Sequence, residues 1–384
     1  QSGRFSDAYP HLKAHGFKWR LSKEVFNYPT PDADVMTAAT ATTATKANTC
    51  SSAPAADYVR AFENAMTPQI VSHLQHVFRP DAPYWREHNY DTVINASATA
   101  GYFSYLFPFR ERCAECSIEQ IIQQHIYPAV CEQFPQAVEA NYAEWWVHSR
   151  THSSGHQLHF DSDETRIMSG RAPAHPIVST VLCLNDSIGG PTVVTNQRLA
   201  GPLATEGYMV LPKLNRMVMF DAQYLHGVIP GRGFNPDPHN NQRRLTFMVG
   251  FWKEIAAKDR GLDTAGPGQP FPPQGRTKYT WPAEMTTAAM ESGSHVGSHS
   301  ADSRTNGNSN SNNKNNNSTV FARVPGALSD SATMEPIEPL KLSAIWEPIE
   351  AGVDPSLIEE GIPMKKLPTT VAETPHYSTC FQGF

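Results

Sequence analysis

Two histidines and an aspartate carry the clearest chemistry in this chain. The run Gln157-Leu-His-Phe-Asp161 sets His159 and Asp161 two residues apart, and Met217-Val-Met-Phe-Asp-Ala-Gln-Tyr-Leu-His-Gly-Val228 brings His226 onto a later strand. On an extended strand, residues two apart share a face, so His159 and Asp161 point together and Phe160 points away. Two imidazoles and one carboxylate on one face of a metal leave the opposite face open. That is the ligand set of oxygen-activating non-haem Fe(II). Zinc and manganese accept the same donors, so ligand type alone does not choose the ion. A single His-x-Asp is common by chance; the weight lies in its combination with His226 and with a basic residue opening a further strand. His148, His152, His156 and His239 are rival ligands. His239 sits in the polar loop Asn235-Pro-Asp-Pro-His-Asn-Asn241, where no rigid strand would aim it.

The elements that must position these groups are strands. From residue 141 the hydrophobic pattern has a period of two, and eight segments read as strands: 142–150, 156–162, 177–184, 190–196, 207–212, 216–221, 226–230 and 244–252. Most are bounded by Gly, Pro, Asn or Asp. With no helical segment between them, they imply an all-β core with flanking helices (α+β overall), built as a double-stranded β-helix, a cupin-like jelly roll. In such a roll, strands far apart in sequence lie side by side, so His226 can meet Asp161. Residues 57–80 and 117–140 read as helices packed outside one sheet. In the second, Ser117 is the expected cap with Gln120 at the capping-box position. Ile118, Ile121, Ile122 and Ile126 recur at helical spacing, and Pro128 should interrupt or kink it.

The 384 residues, 40% hydrophobic, suffice for a full core. A net charge of -6 argues against a broad phosphate-binding face, so nucleic acid is an unfavoured partner. No window approaches the roughly 18 apolar residues of a membrane span, and no membrane partner is expected. The chain begins at Gln1, consistent with a trimmed chain or an excerpt; no signal peptide is visible, and the cytoplasm is the default compartment. The six cysteines are scattered and read as mostly reduced thiols. Cys113-Ala-Glu-Cys116 has zinc-like spacing, but Cys131 is its one nearby partner, and ordinary thiols are the plainer reading. The expected organisation is an N-terminal extension over 1–56, partly disordered, and a helical, aromatic-rich support region over 57–140. A core follows over 141–285, then a disordered Ser/Asn linker over 286–318 and a C-terminal strap or lid over 319–384 that could also mediate dimer contacts. The Ala/Thr/Ser-rich stretch 36–56 and the linker bury too little surface to offset their ordering entropy and should be mobile.

Residues 141–252 resemble the 2-oxoglutarate/Fe(II)-dependent dioxygenase superfamily. The resemblance rests on His159-x-Asp161, on His226 and on Arg244-Leu-Thr246 at the start of the last core strand. Pro176-Ile-Val-Ser-Thr-Val-Leu-Cys-Leu184 followed by Gly189-Gly-Pro-Thr192 also looks like the family's middle strands. It implies Fe(II) and O2, with 2-oxoglutarate as co-substrate and ascorbate as a supporting reductant. Oxidative decarboxylation would be coupled to oxidation of a C–H bond. Members that halogenate replace the carboxylate by a small residue; Asp161 keeps it, which favours hydroxylation, desaturation or ring formation. Arg244 would anchor the far carboxylate of 2-oxoglutarate, since its planar fork matches a carboxylate, and Thr246 on the same face could donate a further bond. Arg243 should point outward, although a one-residue bulge would exchange the two.

In Glu144-Trp-Trp-Val-His-Ser-Arg150 two faces alternate. If Glu144, Trp146, His148 and Arg150 face the barrel, then Trp146, His148 and Arg150 are candidate substrate residues, with Arg150 or His148 holding a charged group. The plainer reading puts that set toward solvent and Trp145, Val147 and Ser149 in the core. Asp163 and Glu164 read as solvated turn residues that could meet substrate, and Asp221 as a strand end orienting the turn before His226. The aromatic runs 84–90 and 101–109 could wall a pocket, though plain packing is commoner. The expected substrate is a small molecule. Alternatives are a protein, as in a prolyl-type hydroxylase, a non-catalytic metal-binding cupin-like module, and a metal-dependent isomerase or hydrolase. Oligomeric state is not legible.

Overall fold

The computed structural model describes residues 5–29, 57–91, 103–163, 166–167, 169–233, 243–256, 268–271, 279–285, 333–349 and 376–383. The stretches 36–56 and 286–318, with His239, Glu164 and Cys50, lie outside the described residues. The strands before the core are β1 (Trp19–Leu21), β2 (Val59–Glu63) and β3 (Tyr105–Phe107). The core strands are β4 (Tyr142–Arg150), β5 (His156–His159), β6 (Val178–Cys183), β7 (Thr192–Arg198), β8 (Gly207–Val210), β9 (Met217–Asp221), β10 (Tyr224–Val228) and β11 (Arg244–Trp252). After them come β12 (Gln269–Pro270), β13 (Glu335–Ile337), β14 (Leu340–Leu342), β15 (Trp346–Pro348) and β16 (Cys380–Phe381).

All eight core strands overlap the segments that the period-two pattern marks, with ends shifted by up to three residues, and they divide between two sheets. β4, β11, β6 and β9 are neighbours at the centre of an eight-stranded sheet ordered β12-β3-β4-β11-β6-β9-β2-β13. β8, β7, β10 and β5 form a second sheet ordered β14-β8-β7-β10-β5. A third, small sheet ordered β15-β1-β16 joins the two ends of the chain. The fold is thus mostly β with a few helices.

Both outer faces are covered. Trp145, Val147, Phe247, Val249 and Phe251 on the outer face of the large sheet pack with Ile70 and Leu74 of helix α1 (Pro68–Val77) and with Ile118, Ile121, Ile122 and Ile126. Outside the smaller sheet, Leu158, Val193 and Leu225 pack with Leu21, Val25, Leu342, Ile345 and Trp346. The inner faces meet at Val59, Ala61, Val194, Val210, Val218 and Phe220, which close one end of the space between the sheets.

Two helix expectations need correction. Residues 57–80 do not form one helix: Val59–Glu63 is strand β2, paired antiparallel to β9. The alternation of buried Val59 and Ala61 with Arg60 suits the open edge of β9, which local sequence cannot reveal. The helix starts only at Pro68, whose missing N–H costs nothing in the first turn, and Thr67 accepts a bond from the Ile70 N–H at 3.4 Å. Residues 117–140 are not one helix either. An α-helix over Ser117–Ile121 runs into a π turn over Ile122–Ile126, a second α-helix over Tyr127–Gln133 and a 3-10 turn over Pro135–Glu139. Pro128 stands at the start of the second α segment, and the π turn ahead of it absorbs the phase change without a break. Ser117 does not cap and Gln120 makes no capping box. The cap position is Cys116, the Ser117 hydroxyl lies 2.7 Å from His73 Nε2, and the Glu119 carboxylate accepts from the Glu115 N–H while pairing with Arg112.

The described cysteines are free: Cys113 is exposed, Cys131 half-buried, and Cys116, Cys183 and Cys380 buried. Among the described residues no helix is long and apolar enough to cross a membrane.

Burial pushes the His73 imidazole down to about 4, and burial elsewhere in the core, beside Tyr84 and Tyr105, pushes His88 down to about 4 as well. An unfolded histidine takes its proton near pH 6.5. Acidification from about 6.5 towards 4 therefore protonates the unfolded chain first. The stability contributed is full above that window and lost within it, by at most about 3 kcal/mol per group. The urea midpoint of the metal-free protein should fall across this interval, and His73→Gln, which keeps a partner for Ser117, should flatten the slope.

Candidate metal centre

β5 and β10 are antiparallel neighbours, and His159 stands directly opposite His226. The β10 ladder slips against both β5 and β7 around His226. Such irregularities re-aim a side chain. Strand β10 begins at Tyr224, so His226 lies mid-strand rather than opening it as the sequence reading has it. β5 likewise ends at His159 rather than 162. Gly227 permits the close approach, since a Cβ there would lie 2.7 Å from the His156 carbonyl oxygen.

Each imidazole is oriented the same way. His159 Nδ1 bonds the Gln157 carbonyl at 2.8 Å, and His226 Nδ1 bonds the Tyr224 carbonyl at 2.9 Å. A donor at Nδ1 places the lone pair on Nε2. Both Nε2 atoms lie 3.5 Å from Asp161 Oδ1. Asp161 is fixed from behind: its Oδ2 accepts from Ser179 Oγ at 2.7 Å, and its carbonyl meets His175 Nδ1 at 2.6 Å. The three ligand atoms lie within 4.8 Å of one another. Burial opposes the charge on Asp161, but His226 and His159 outweigh it and hold the carboxyl well below its usual range. Burial also opposes a proton on His226, yet Asp161 raises its affinity for one. The cluster attracts a cation, and a metal ion competes with the proton for it. The His159 side chain is 34% exposed against 8% for His226, so the cluster opens to solvent on the His159 side.

The outer edge of β5, the last strand of its sheet, would leave its backbone unpaired. Gln382 fills it: its carboxamide accepts from the Leu158 N–H at 2.5 Å and donates to the Leu158 carbonyl at 3.0 Å. The chain end thus braces the residue beside His159.

One cavity holds the cluster. Its wall includes Trp146, His148 and Arg150 from β4, Ser179 and Val181 from β6, Phe220 and Val228, and Arg244, Thr246 and Met248 from β11. The β4–β11 register is unbroken from Arg244↔Arg150 to Trp252↔Tyr142, so no bulge exchanges Arg243 and Arg244. Arg244 enters the cavity at 5% exposure and donates to Thr192 Oγ1 at 3.1 Å, while Arg243 points out to Asp91 at 3.2 Å. Gly189, at a φ of 84°, clears the path of that side chain: a Cβ there would lie 2.5 Å from Arg244 Cδ. The polar face of β4 lines the cavity, and the apolar face packs on the helices. The solvent-face reading is wrong because the sheet is covered on both sides. Glu144, on the same strand, is buried; burial pushes its carboxyl up to about 7 while Ser104 donates to it at 2.5 Å.

The rival histidines have other partners. His148 Nδ1 meets Tyr90 OH at 3.1 Å, and His152 Nδ1 accepts from the Gly189 N–H at 3.0 Å. His156 stacks on His159 at 4.4 Å but stands outside the cluster of ligand atoms. Burial, with Arg150 beside it, pushes the His148 imidazole well down. Asp163 is buried and bonds the backbone N–H groups of Arg166 and Ala256; Asp221 serves its own turn and Arg198. Tyr84, Phe103, Tyr105, Phe107 and Phe109 are packing, not cavity wall. Sequence reasoning missed the supporting roles of Ser179, Thr192 and Gln382. A hydroxyl inside the apolar run of β6 is the one local sign of the first; the others need the folded neighbours.

No family model matches the sequence, and neither does any curated protein. Solved structures do. The chain is similar in structure to 2-oxoglutarate/Fe(II) oxygenases. A prolyl-4-hydroxylase from Pseudomonas putida matches over 51% of this chain and 88% of its own, at 15% identity and a TM-score of 0.31. A 2OG-Fe(II) oxygenase family oxidoreductase from Burkholderia pseudomallei matches over 38% and 58%, at 14% and 0.25. The α-ketoglutarate-dependent carbocyclase SnoK from nogalamycin biosynthesis matches over 56% and 89%, at 9% and 0.33. Likeness of this size says nothing about substrate.

Partners that orient a ligand typically change metal affinity about 10–100-fold when removed. Ser179→Ala should therefore weaken Mn(II) binding by about tenfold or more with an unchanged circular dichroism spectrum, as followed by electron paramagnetic resonance of free Mn(II).

Proposed function

We propose that this chain is a 2-oxoglutarate/Fe(II)-dependent oxygenase that oxidises a C–H bond of a small molecule. The observation that carries this is a shared cavity: an open-faced His159, Asp161, His226 cluster and the buried, acid-free Arg244 line the same space. The division of the core strands, with β4, β6, β9 and β11 in one sheet and β5, β7, β8 and β10 in the other, fits a double-stranded β-helix, the jelly roll read from the sequence.

The residues fit both absent groups. Both Nε2 lone pairs and Asp161 Oδ1 remain after every other donor and acceptor of the three side chains is engaged. Arg244 Nε is buried without a partner, and among the described residues no carboxylate pairs with the guanidinium. A buried cation left so is costly unless an anion completes it. The far carboxylate of 2-oxoglutarate would do that, held by Arg244 with Thr192 and Thr246 alongside.

With iron and 2-oxoglutarate bound, the site would couple oxidative decarboxylation to succinate and CO2 with insertion of the second oxygen atom into a substrate C–H bond. The protein's own work is orientation and exclusion of water. His159, Asp161 and His226 hold one face. Val181, Phe220, Val228 and Met248 keep the wall beside it apolar. A non-catalytic module would be expected to fill this space with side chains; here it is open. A cavity set between the two sheets, open on the His159 side, favours a small molecule over a protein chain.

The purified protein should release succinate from 2-oxoglutarate when given Fe(II), ascorbate and air; no succinate would contradict the proposal. Arg244→Ala should raise the 2-oxoglutarate requirement by about 10–100-fold, the size expected for a buried bond to a charged group. Arg243→Ala should change it less than about twofold. The reverse pattern would move the anchor to Arg243.

A further inference from the structure

We infer that the substrate carries an anionic group, a carboxylate or a phosphate, that binds Arg150. The inference rests on the oxygenase reading above and extends it to the substrate's chemical class. Arg150 ends β4 directly across from Arg244, and both side chains line the cavity. Among the described residues no acidic side chain pairs with either. Asp161 is the acidic residue of the cavity wall, and it is engaged by His159, His226 and Ser179. Glu144 shares the face of Arg150 but sits six residues back along the strand, roughly 20 Å away at about 3.3 Å per residue, and is bonded by Ser104. Asp163 is turned to backbone N–H groups. The adjacent arginine on the outer surface, Arg243, does meet a carboxylate, that of Asp91. Carboxylates are supplied outside and withheld inside.

The charges then sum to an unmet demand. Asp161 and the near carboxylate of 2-oxoglutarate offset the two charges of a ferrous ion. The far carboxylate offsets Arg244. Arg150 remains, with its Nε buried and unbonded. Arg150 is half-buried, and a cation held partly out of water beside another cation is stabilised by a further anion; the substrate is the component left to bring one. His148 offers a second donor to the same group. Tyr90 OH accepts from the Ser149 N–H at 2.9 Å, which leaves its own proton for His148 Nδ1. That arrangement puts the His148 proton on Nε2, which no side chain among the described residues meets. Trp146 and Met248 supply apolar wall next to this pair for the uncharged body of the substrate.

The test is calorimetric titration of protein loaded with Mn(II) and 2-oxoglutarate, without oxygen, using phenylacetate, phenylphosphonate and uncharged benzyl alcohol. Phenylacetate or phenylphosphonate should bind at least tenfold tighter than benzyl alcohol, and whichever binds tighter assigns carboxylate or phosphate. Arg150→Met should remove that preference and Arg150→Lys should keep part of it, while 2-oxoglutarate affinity changes less than threefold in both. Circular dichroism establishes that each variant is folded, and the lysine variant carries the test if the methionine variant is not. Equal binding of charged and uncharged probes to the wild type would overturn the inference. So would a loss of 2-oxoglutarate affinity in Arg150→Met as large as in Arg244→Met, which would place both arginines on one carboxylate. Failure of the wild type to bind Mn(II) or 2-oxoglutarate would instead sink the oxygenase reading, and this inference with it.

Discussion

The pairing of β5 with β10 is the constraint on which the rest depends. It sets His159 opposite His226 and leaves Asp161 just past the strand end, on the same face as His159. A slip of one residue in this ladder would turn His159 to the outer face, where Leu158 now packs against Leu225 and Val193. The register is held from three sides. Leu158 and Leu225 bury outward, Gly227 lets the strands approach, and Gln382 closes the outer edge at Leu158. The chain's distant C-terminal segment therefore stabilises the geometry of its most reactive residues.

A second rigid frame carries the charge. β4 and β11 pair over nine residues without a bulge, which fixes Arg150, His148 and Trp146 against Arg244, Thr246 and Met248. Its outer face is anchored by Trp145, Phe247 and the helices. Both frames present their functional groups inward because both sheets are covered outside. A buried Arg244, a half-buried Arg150 and one engaged carboxylate leave the cavity with positive charge to spare beside the His159, Asp161, His226 cluster. That pairing of opposite demands is what the proposed metal-bound dicarboxylate would meet.

Much of this was legible in the sequence, and the parts that were not have a common cause. The eight core strands follow from local alternation, and His159, Asp161 and Arg244 follow from strand parity. Val59–Glu63 reads locally as helix because its pairing partner β9 lies more than 150 residues downstream. The faces of β4 could not be told apart because a cavity covers one and helices the other, so neither is the solvent face that alternation usually signals. Ser179, Thr192 and Gln382 act through residues remote in sequence. The strand start at Tyr224, two residues before His226, reflects slips in the ladder that no local pattern encodes.

The most direct measurement is an anaerobic titration of the protein with Fe(II) and 2-oxoglutarate, followed by visible absorption. Chelation of the keto acid by a ferrous ion held by His159, Asp161 and His226 should give a charge-transfer band that needs both additions and is absent in folded His226→Ala. A wild-type protein that stays colourless with both present, or a band that survives in that variant, would contradict the account.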